Sequence, residues 1–224
     1  MKRNGKTGLF IAIGFLVAFA VWTVLVRFVG VAEIGPLGSR VGFAGVNGFV
    51  HNLIGVNMTL YEITDWLGVV PIAVAAGFAV LGLCQWILRR RLLAVDRDIL
   101  ALGVFYVAVI AVFLIFEVAV VNYRPVLIEG RMEASYPSST TLLTVCVMPT
   151  AAMQVGTRVK KMWLRCGLFA LISAFMVFMV VARVLSGVHW ITDIVGGVLV
   201  ATGLDMLYYT LAIRASGTDN ERDG

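Results

Sequence analysis

The sequence has little charge, and of its 224 residues only three are cysteines and two are histidines. Charged residues make up 14% of the chain and apolar residues 60%, which excludes a soluble globular protein. Cys84, Cys146 and Cys166 have no paired spacing, which argues against a disulfide framework and a cysteine metal site. The charge that is present lies in short clusters between long apolar runs. This pattern is typical of a polytopic membrane protein.

The apolar runs predict an all-α fold, because a bilayer core of about 30 Å is crossed by roughly 20 helical residues. Six transmembrane helices are predicted at Leu9–Val29, Trp66–Leu88, Ile99–Val121, Ser138–Val155, Leu164–Leu185 and Ile191–Ile213. They form a single membrane domain over residues 1–214, followed by a disordered cytoplasmic tail over residues 215–224. Within the long outer loop, residues 30–65, the segment Val41–Ile54 predicts a short helix in the membrane interface.

The basic residues are distributed unevenly between the two ends of the predicted spans. Most of the 18 Lys and Arg residues lie on the side of the chain termini, including Arg89–Arg91 and Arg158–Lys161. The positive-inside rule therefore predicts that both termini are cytoplasmic. The formal net charge of +5 reflects this topology, and we expect no nucleic-acid partner.

Polar residues concentrate in three segments on the predicted outer side, residues 117–125 (EVAVVNYRP), 135–141 (SYPSSTT) and 183–193 (RVLSGVHWITD). In the third segment His189 and Asp193 are four residues apart and lie on one helix face. Asp193 can accept a hydrogen bond from one ring nitrogen and leave the other nitrogen free as a nucleophile. The alternative is a His–Asp pair that only caps the helix.

The second segment opens a helix with a run of hydroxyl side chains after Pro137. A helix start of this kind offers unpaired N–H groups to an anion, although Ser and Thr after Pro are also simple helix initiators. Arg124 and Arg183 carry planar charged groups suited to bidentate phosphate contacts. Together the three segments predict a phosphoryl-transfer site that works without a metal and uses the imidazole as covalent acceptor.

The three segments resemble the signature of the type-2 phosphatidate phosphatase superfamily of integral membrane lipid-phosphate phosphatases. That signature reads Lys-(six residues)-Arg-Pro, then Pro-Ser-Gly-His, then Ser-Arg-(five)-His-(three)-Asp. The corresponding residues here are Glu117, Arg124 and Pro125, then Pro137, Ser138, Ser139 and Thr140, then Ala182, Arg183, His189 and Asp193. The resemblance implies that His189 forms a phosphohistidine and that Asp193 orients it. It implies a phosphate-binding set, without metal or cofactor, of Arg124, Arg183, Ser138, Ser139 and Thr140.

Two positions depart from this signature. Glu117 stands in place of the lysine, and Thr140 in place of the histidine that protonates the leaving group. General acid catalysis typically contributes about 10²- to 10⁴-fold, and a departing phosphate needs it less than a departing alkoxide. The change at Thr140 therefore predicts a preference for prenyl or other lipid diphosphates over monoesters. Glu117 and His51 are the candidate substitute acids.

The leading hypothesis is a multi-pass lipid phosphatase or diphosphatase of the cell membrane, with its active-site face outside. Its substrate would be a prenyl diphosphate or a glycerolipid phosphate, and its other partners membrane lipids. One alternative is a catalytically impaired relative that binds, senses or transports phospholipids, and another is a lipid phosphotransferase. The enzyme hypothesis requires that Arg124, Arg183 and His189 converge in one pocket.

Overall fold

The structure is a computed structural model that describes the backbone of residues 2–220 and the side chains of residues 6–211. The described residues form an all-α bundle, as the sequence predicts. Its α-helices are α1 Lys2–Phe28, α2 Ala44–Ile54, α3 Met58–Leu67, α4 Val69–Arg89, α5 Arg97–Val118, α6 Ser139–Arg158, α7 Met162–Leu185 and α8 Ile191–Asn220. Short 3₁₀ turns at Pro36–Gly38 and Leu92–Ala94 lie between them.

Five helical segments of the described chain are long and apolar enough to cross a membrane. They are Lys6–Phe28, Met58–Arg89, Arg97–Val118, Met162–Leu185 and Ile191–Leu211. These segments match five of the six predicted spans. The remaining predicted span, Ser138–Val155, corresponds to α6. This helix is not one of the five segments that are apolar enough to cross a membrane. The number of six transmembrane helices therefore stays a prediction.

The lower hydropathy of α6 follows from its central place in the bundle. It packs against both α7 and α8, and its polar side chains at Thr144, Thr150 and Gln154 are buried among protein atoms. The Thr150 hydroxyl donates a hydrogen bond to the Val147 carbonyl at 2.9 Å. A helix surrounded by other helices tolerates such residues, whereas a helix facing lipid does not.

Close helix contacts hold α8 in the bundle. A Cβ on Gly203 would lie 2.8 Å from the Leu16 side chain of α1, and a Cβ on Gly196 would lie 2.6 Å from the Tyr136 ring. Both distances are too short for a larger residue, so small residues set the spacing between these helices. The start of α8 is thereby pressed against the segment that leads into α6.

The predicted outer loop over residues 30–65 contains more helix than the sequence indicated. The interfacial helix predicted at Val41–Ile54 corresponds to α2, which begins three residues later. The last part of the segment is not a loop, because α3 begins at Met58. The Asn57 side chain accepts a hydrogen bond from the Leu60 N–H at 2.9 Å and caps α3. The sequence prediction missed this helix.

The C-terminal helix is longer than its predicted span. α8 continues to Asn220 and so extends into the segment 215–224, for which the sequence predicts a disordered tail. Residues 221–224 lie outside the described residues. The backbone from Ala215 to Asn220 contains no proline, so no residue there removes an N–H from the helical hydrogen bonds.

A tight turn between α7 and α8 determines where the following histidine lies. Gly187 has φ +67°, in the left-handed region that favours glycine. It packs against the backbone of Gly55, and the Asn57 N–H donates to the Ser186 carbonyl at 2.9 Å. The start of α3 and the turn before α8 are therefore fixed to each other.

Replacing Gly187 with alanine is expected to lower the melting temperature more than the matched change Gly130→Ala. Gly130 also has a positive φ, +75°, but a Cβ there meets no atom within 4 Å. Both changes add left-handed strain of about 1–2 kcal/mol, while only a Cβ at 187 overlaps the Gly55 carbonyl. Thermal melting of the two purified variants measures the difference, and equal losses would contradict it.

Candidate active site

Arg124 lies on a short paired loop between α5 and α6. The Arg124 N–H donates to the Glu133 carbonyl at 3.0 Å, and the Ser135 N–H donates to the Asn122 carbonyl at 3.0 Å. Because these bonds pair the two arms of the loop, residues from the first and second polar segments lie side by side. The Arg124 guanidinium extends from this loop to the Tyr61 ring of α3.

Arg183 lies in the last turn of α7, and only 1% of it is exposed. Its Nη1 donates to Thr64 Oγ1 at 3.0 Å and, more weakly, to the Tyr61 carbonyl at 3.4 Å. Its Nη2 donates to Asp65 Oδ1 at 3.2 Å and to Thr140 Oγ1 at 2.6 Å. The helix α3, which the sequence prediction missed, thus supplies three of the four groups that hold this guanidinium.

The two guanidinium groups meet at the ring of Tyr61. The Cζ atom of Arg183 lies 4.9 Å from the ring centroid and that of Arg124 lies 5.6 Å from it, both within cation–π range. A carboxylate accompanies each arginine: Glu133 Oε2 lies 3.1 Å from Arg124 Nε, and Asp65 pairs with Arg183. The carboxylates offset much of the positive charge, but Arg124 Nη1 and Arg183 Nε have no hydrogen-bond partner and can donate to an anion.

His189 is buried in the turn between α7 and α8. Its Nδ1 lies 3.2 Å from the Ser135 carbonyl, and Asp193 Oδ2 lies behind it at 3.8 Å. The Asp193 carboxylate accepts hydrogen bonds from Asn122 Nδ2 at 3.2 Å and from the Trp190 N–H at 3.0 Å. The sequence interpretation expected Asp193 to accept the hydrogen bond from the ring. In the structure a main-chain carbonyl does so, which favours the tautomer with its proton on Nδ1.

The surroundings of His189 keep its ring neutral. Burial, followed by the positive charges of Arg124 and Arg183, holds the pKa of His189 well below its usual range, and the hydrogen bond to Ser135 opposes this only in part. The ring therefore keeps a lone pair on Nε2 at neutral pH. The two arginines themselves meet at the Tyr61 ring, and the charge of each lowers the pKa of His189.

The start of α6 adds polar groups to the same place. The Ser138 N–H donates to the Asp193 carbonyl at 3.1 Å, while Ser139 and Thr140 begin the helix and are half-buried. Several buried polar atoms here have no hydrogen-bond partner. They include Ser138 Oγ, Arg124 Nη1, Arg183 Nε and His189 Nε2. Buried polar atoms normally have partners, so this set marks a place for a polar ligand.

The two candidate substitute acids occupy different surroundings. Glu117 is exposed in the last turn of α5 and lines a small cavity with Ser135 and Tyr136. The His51 ring packs on the Trp190 ring, with centroids 5.4 Å apart. Among the described residues, no three His, Cys, Asp or Glu side chains form a group that could hold a metal ion.

An apolar cavity adjoins these polar groups. It has a volume of about 520 Å³ and lies between α4, α5 and α6. Asp65, Ser139 and Thr140 line it together with apolar side chains of the three helices, among them Val69, Ile72, Ile110, Phe113, Leu143 and Val147. From Ser139 to Val147 it follows α6 for about 12 Å, at the usual helical rise.

The sequence comparison finds one family that resembles the C-terminal part of this chain. Residues 121–215 match the PAP2 superfamily, and this range contains all three of Arg124, Arg183 and His189. The match covers less than half of the chain. It confirms the resemblance inferred from the polar segments, and the chain is a multi-pass membrane protein. Among curated protein sequences, none matches it significantly.

A solved structure has the same fold as this chain. It is the first transmembrane PAP2 type phosphatidylglycerolphosphate phosphatase from Bacillus subtilis. The TM-score is 0.62 at 16% sequence identity, and the alignment covers 91% of this chain and 96% of that chain. At this identity the similarity establishes the fold.

Sequence reasoning missed several residues of the candidate active site. Tyr61, Thr64 and Asp65 were assigned to the outer loop, and the Ser135 carbonyl has no side-chain signature. Only Asp65 carried a usable signal, because it is a carboxylate directly before an apolar run. Asn122 lies inside the first polar segment but has no counterpart in the family signature.

The His189 ring is expected to remain neutral at about pH 6, where an ordinary histidine is mostly protonated. Nitrogen NMR of the labelled rings measures this, and the variant His189→Ala assigns the spectrum because His51 is the only other histidine. The unfolded chain binds a proton near pH 6.5 and the folded ring does not. His189 therefore lowers the free energy of unfolding as the pH falls below about 6.5, until the lower folded-state pKa is reached. Titration of His189 at or above pH 6.5 would contradict the assignment.

Proposed function

We propose that this protein is a membrane phosphatase of the PAP2 superfamily that releases phosphate from a lipid monophosphate or diphosphate. The observation that carries the proposal is the group of buried, unpartnered polar atoms around His189 Nε2. Donors on Arg124, Arg183 and Ser138 suit phosphate oxygens, and the neutral ring suits attack on phosphorus. A protein that only binds phospholipids has no need of that ring nitrogen.

The proposed reaction proceeds through a phosphohistidine. His189 Nε2 attacks phosphorus, the bond from phosphorus to the lipid oxygen breaks, and the lipid product leaves with the electron pair. The ring becomes positively charged as the new bond forms, and Asp193 at 3.8 Å stabilises that charge. The two guanidiniums stabilise the negative charge on the transferring group. Attack by water then releases phosphate and restores the ring.

The cavity beside the polar groups supports a lipid substrate. Its walls are mainly apolar, and some of them, such as Val69, Ile72 and Ile110, are also exposed on the outer surface of the bundle. A lipid tail in this cavity would reach the protein sideways from the bilayer. Because Ser139 and Thr140 line its polar end, the headgroup would lie next to Arg183.

We further propose that the active site faces the outside of the plasma membrane. The polar groups lie at the end of α7 that contains Arg183, while the basic residues Arg158–Lys161 precede the other end of the same helix. The positive-inside rule assigns the basic end, with both termini, to the cytoplasm. On this assignment the substrate is a lipid of the outer leaflet.

The missing acid at Thr140 favours diphosphates among lipid substrates. Thr140 Oγ1 is bonded to Arg183 and has no proton suited to acid catalysis. A lipid monophosphate leaving from a diphosphate is weakly basic and departs unaided, whereas an alkoxide leaving from a monoester requires a proton. We therefore propose a lipid diphosphate, such as a prenyl diphosphate, as the preferred substrate.

Purified protein incubated with chain-matched lipid mono- and diphosphates is expected to release phosphate, and faster from the diphosphate. The variant His189→Ala should lose about 10³-fold or more of this activity, because it lacks the nucleophile. Phosphate release measured for both proteins tests the function, with thermal melting as the control for folding. Undiminished release by the variant would refute the proposed mechanism, and equal or faster monoester turnover would refute the preference.

A further inference from the structure

Asp65 occupies an unusual position for a carboxylate. It lies in α3 within the apolar segment Met58–Arg89, and its side chain is 59% exposed rather than enclosed by polar groups. It lines the apolar cavity next to Val69 and Ile72. A carboxylate in such surroundings costs free energy and therefore suggests a functional role.

The partners of Asp65 place it beside the missing acid. One nitrogen, Arg183 Nη2, donates to Asp65 Oδ1 at 3.2 Å and to Thr140 Oγ1 at 2.6 Å. Two acceptors bonded to the same nitrogen are neighbours. The Asp65 carboxylate, which can accept a proton, is therefore next to Thr140. Thr140 stands where the family signature has the histidine that transfers a proton.

The cavity identifies the side of the phosphate on which Asp65 lies. In the proposed reaction the leaving oxygen joins phosphorus to the lipid, so it lies where the cavity meets the polar groups, opposite His189 Nε2. The water that later attacks the phosphohistidine approaches opposite the P–N bond, which is the place the leaving oxygen has vacated. Asp65 is the one carboxylate among the described residues that line this cavity.

We propose that Asp65 is the general base that deprotonates the hydrolytic water. This inference rests on the proposed function. The water oxygen forms a bond to phosphorus, the P–N bond breaks, and its electron pair returns to His189 Nε2. The water proton passes to the Asp65 carboxylate and later leaves through the exposed side of that residue. The contact with Arg183 is made by Oδ1 of the carboxylate and orients the side chain beside the cavity.

This role agrees with a diphosphate substrate. The first step then needs no proton donor, and a base is required only in the second step. The other carboxylates near the arginines are placed differently: Glu133 pairs with Arg124 in the outer loop, and Glu117 lines the small cavity beside Tyr136. Neither lines the cavity in which the leaving group would lie.

The variant Asp65→Asn tests this role, because it keeps the shape of the side chain and removes the base. The substrate is a lipid diphosphate with a radioactive terminal phosphate. We expect each site to release one lipid product rapidly and then to release phosphate slowly. Steady-state phosphate release should fall about 10²-fold or more, while label accumulates on His189 as acid-labile phosphohistidine. The matched control Glu62→Gln, an exposed carboxylate of the same helix, should behave as the wild type.

Other outcomes would overturn the proposal. Unchanged steady-state release by Asp65→Asn would exclude Asp65 as the base. A raised KM with equal loss in the first and later turnovers, and no labelled enzyme, would mean that Asp65 only holds Arg183. The size of the first turnover counts the folded sites, so misfolding cannot imitate the expected result. If the wild type neither releases phosphate nor becomes labelled, the proposed function itself fails, and the role of Asp65 fails with it.

Discussion

The burial of the Arg183 guanidinium is the constraint on which the rest of the structure depends. A charge enclosed in a membrane protein has to be paired and hydrogen-bonded. The partners of this guanidinium are Thr64 and Asp65 of α3 and Thr140 of α6. These bonds hold three helices at one point. The need to stabilise buried charge also explains why the Tyr61 ring contacts both guanidiniums. It explains why the Thr140 hydroxyl accepts a hydrogen bond from Arg183.

The arrangement of the remaining polar residues follows from the same need for partners. The Asp193 carboxylate is fixed by Asn122 and by the backbone of Trp190, and His189 is fixed by the Ser135 carbonyl. These bonds join the loop before α6 to the turn before α8. Once they are satisfied, Ser138 Oγ, Arg124 Nη1, Arg183 Nε and His189 Nε2 are still without partners, and these atoms suit a phosphate. The hydrogen bonds within the site therefore orient His189 and Asp193, while the donors suited to phosphate have no partner.

The sequence predicted the parts of this site that depend on short spacings. Arg183, His189 and Asp193 follow one another within eleven residues, so their short separation along the chain keeps them close together. The expected helix face for His189 and Asp193 is wrong in one respect, because His189 lies in the turn before α8. The apolar runs likewise predicted the five helical segments that are long and apolar enough to cross a membrane. The contribution of α3 could not be predicted, because the contacts of Asp65 with Arg183 join residues far apart in the chain. The Ser135 carbonyl could not be predicted either, since any residue supplies one. The helix α6 has a lower hydropathy than the five candidate spans. Its neighbours are other helices, so it can carry polar side chains.

The central claim is that the two guanidiniums and the imidazole act on one phosphoryl group. An experimental structure of the protein with orthovanadate, which imitates a phosphoryl group in transfer, tests this claim most directly. We expect vanadium at covalent distance from His189 Nε2, with its oxygens toward Arg124, Arg183 and Ser138. Vanadate bound elsewhere, or guanidiniums turned away from an empty imidazole, would contradict it.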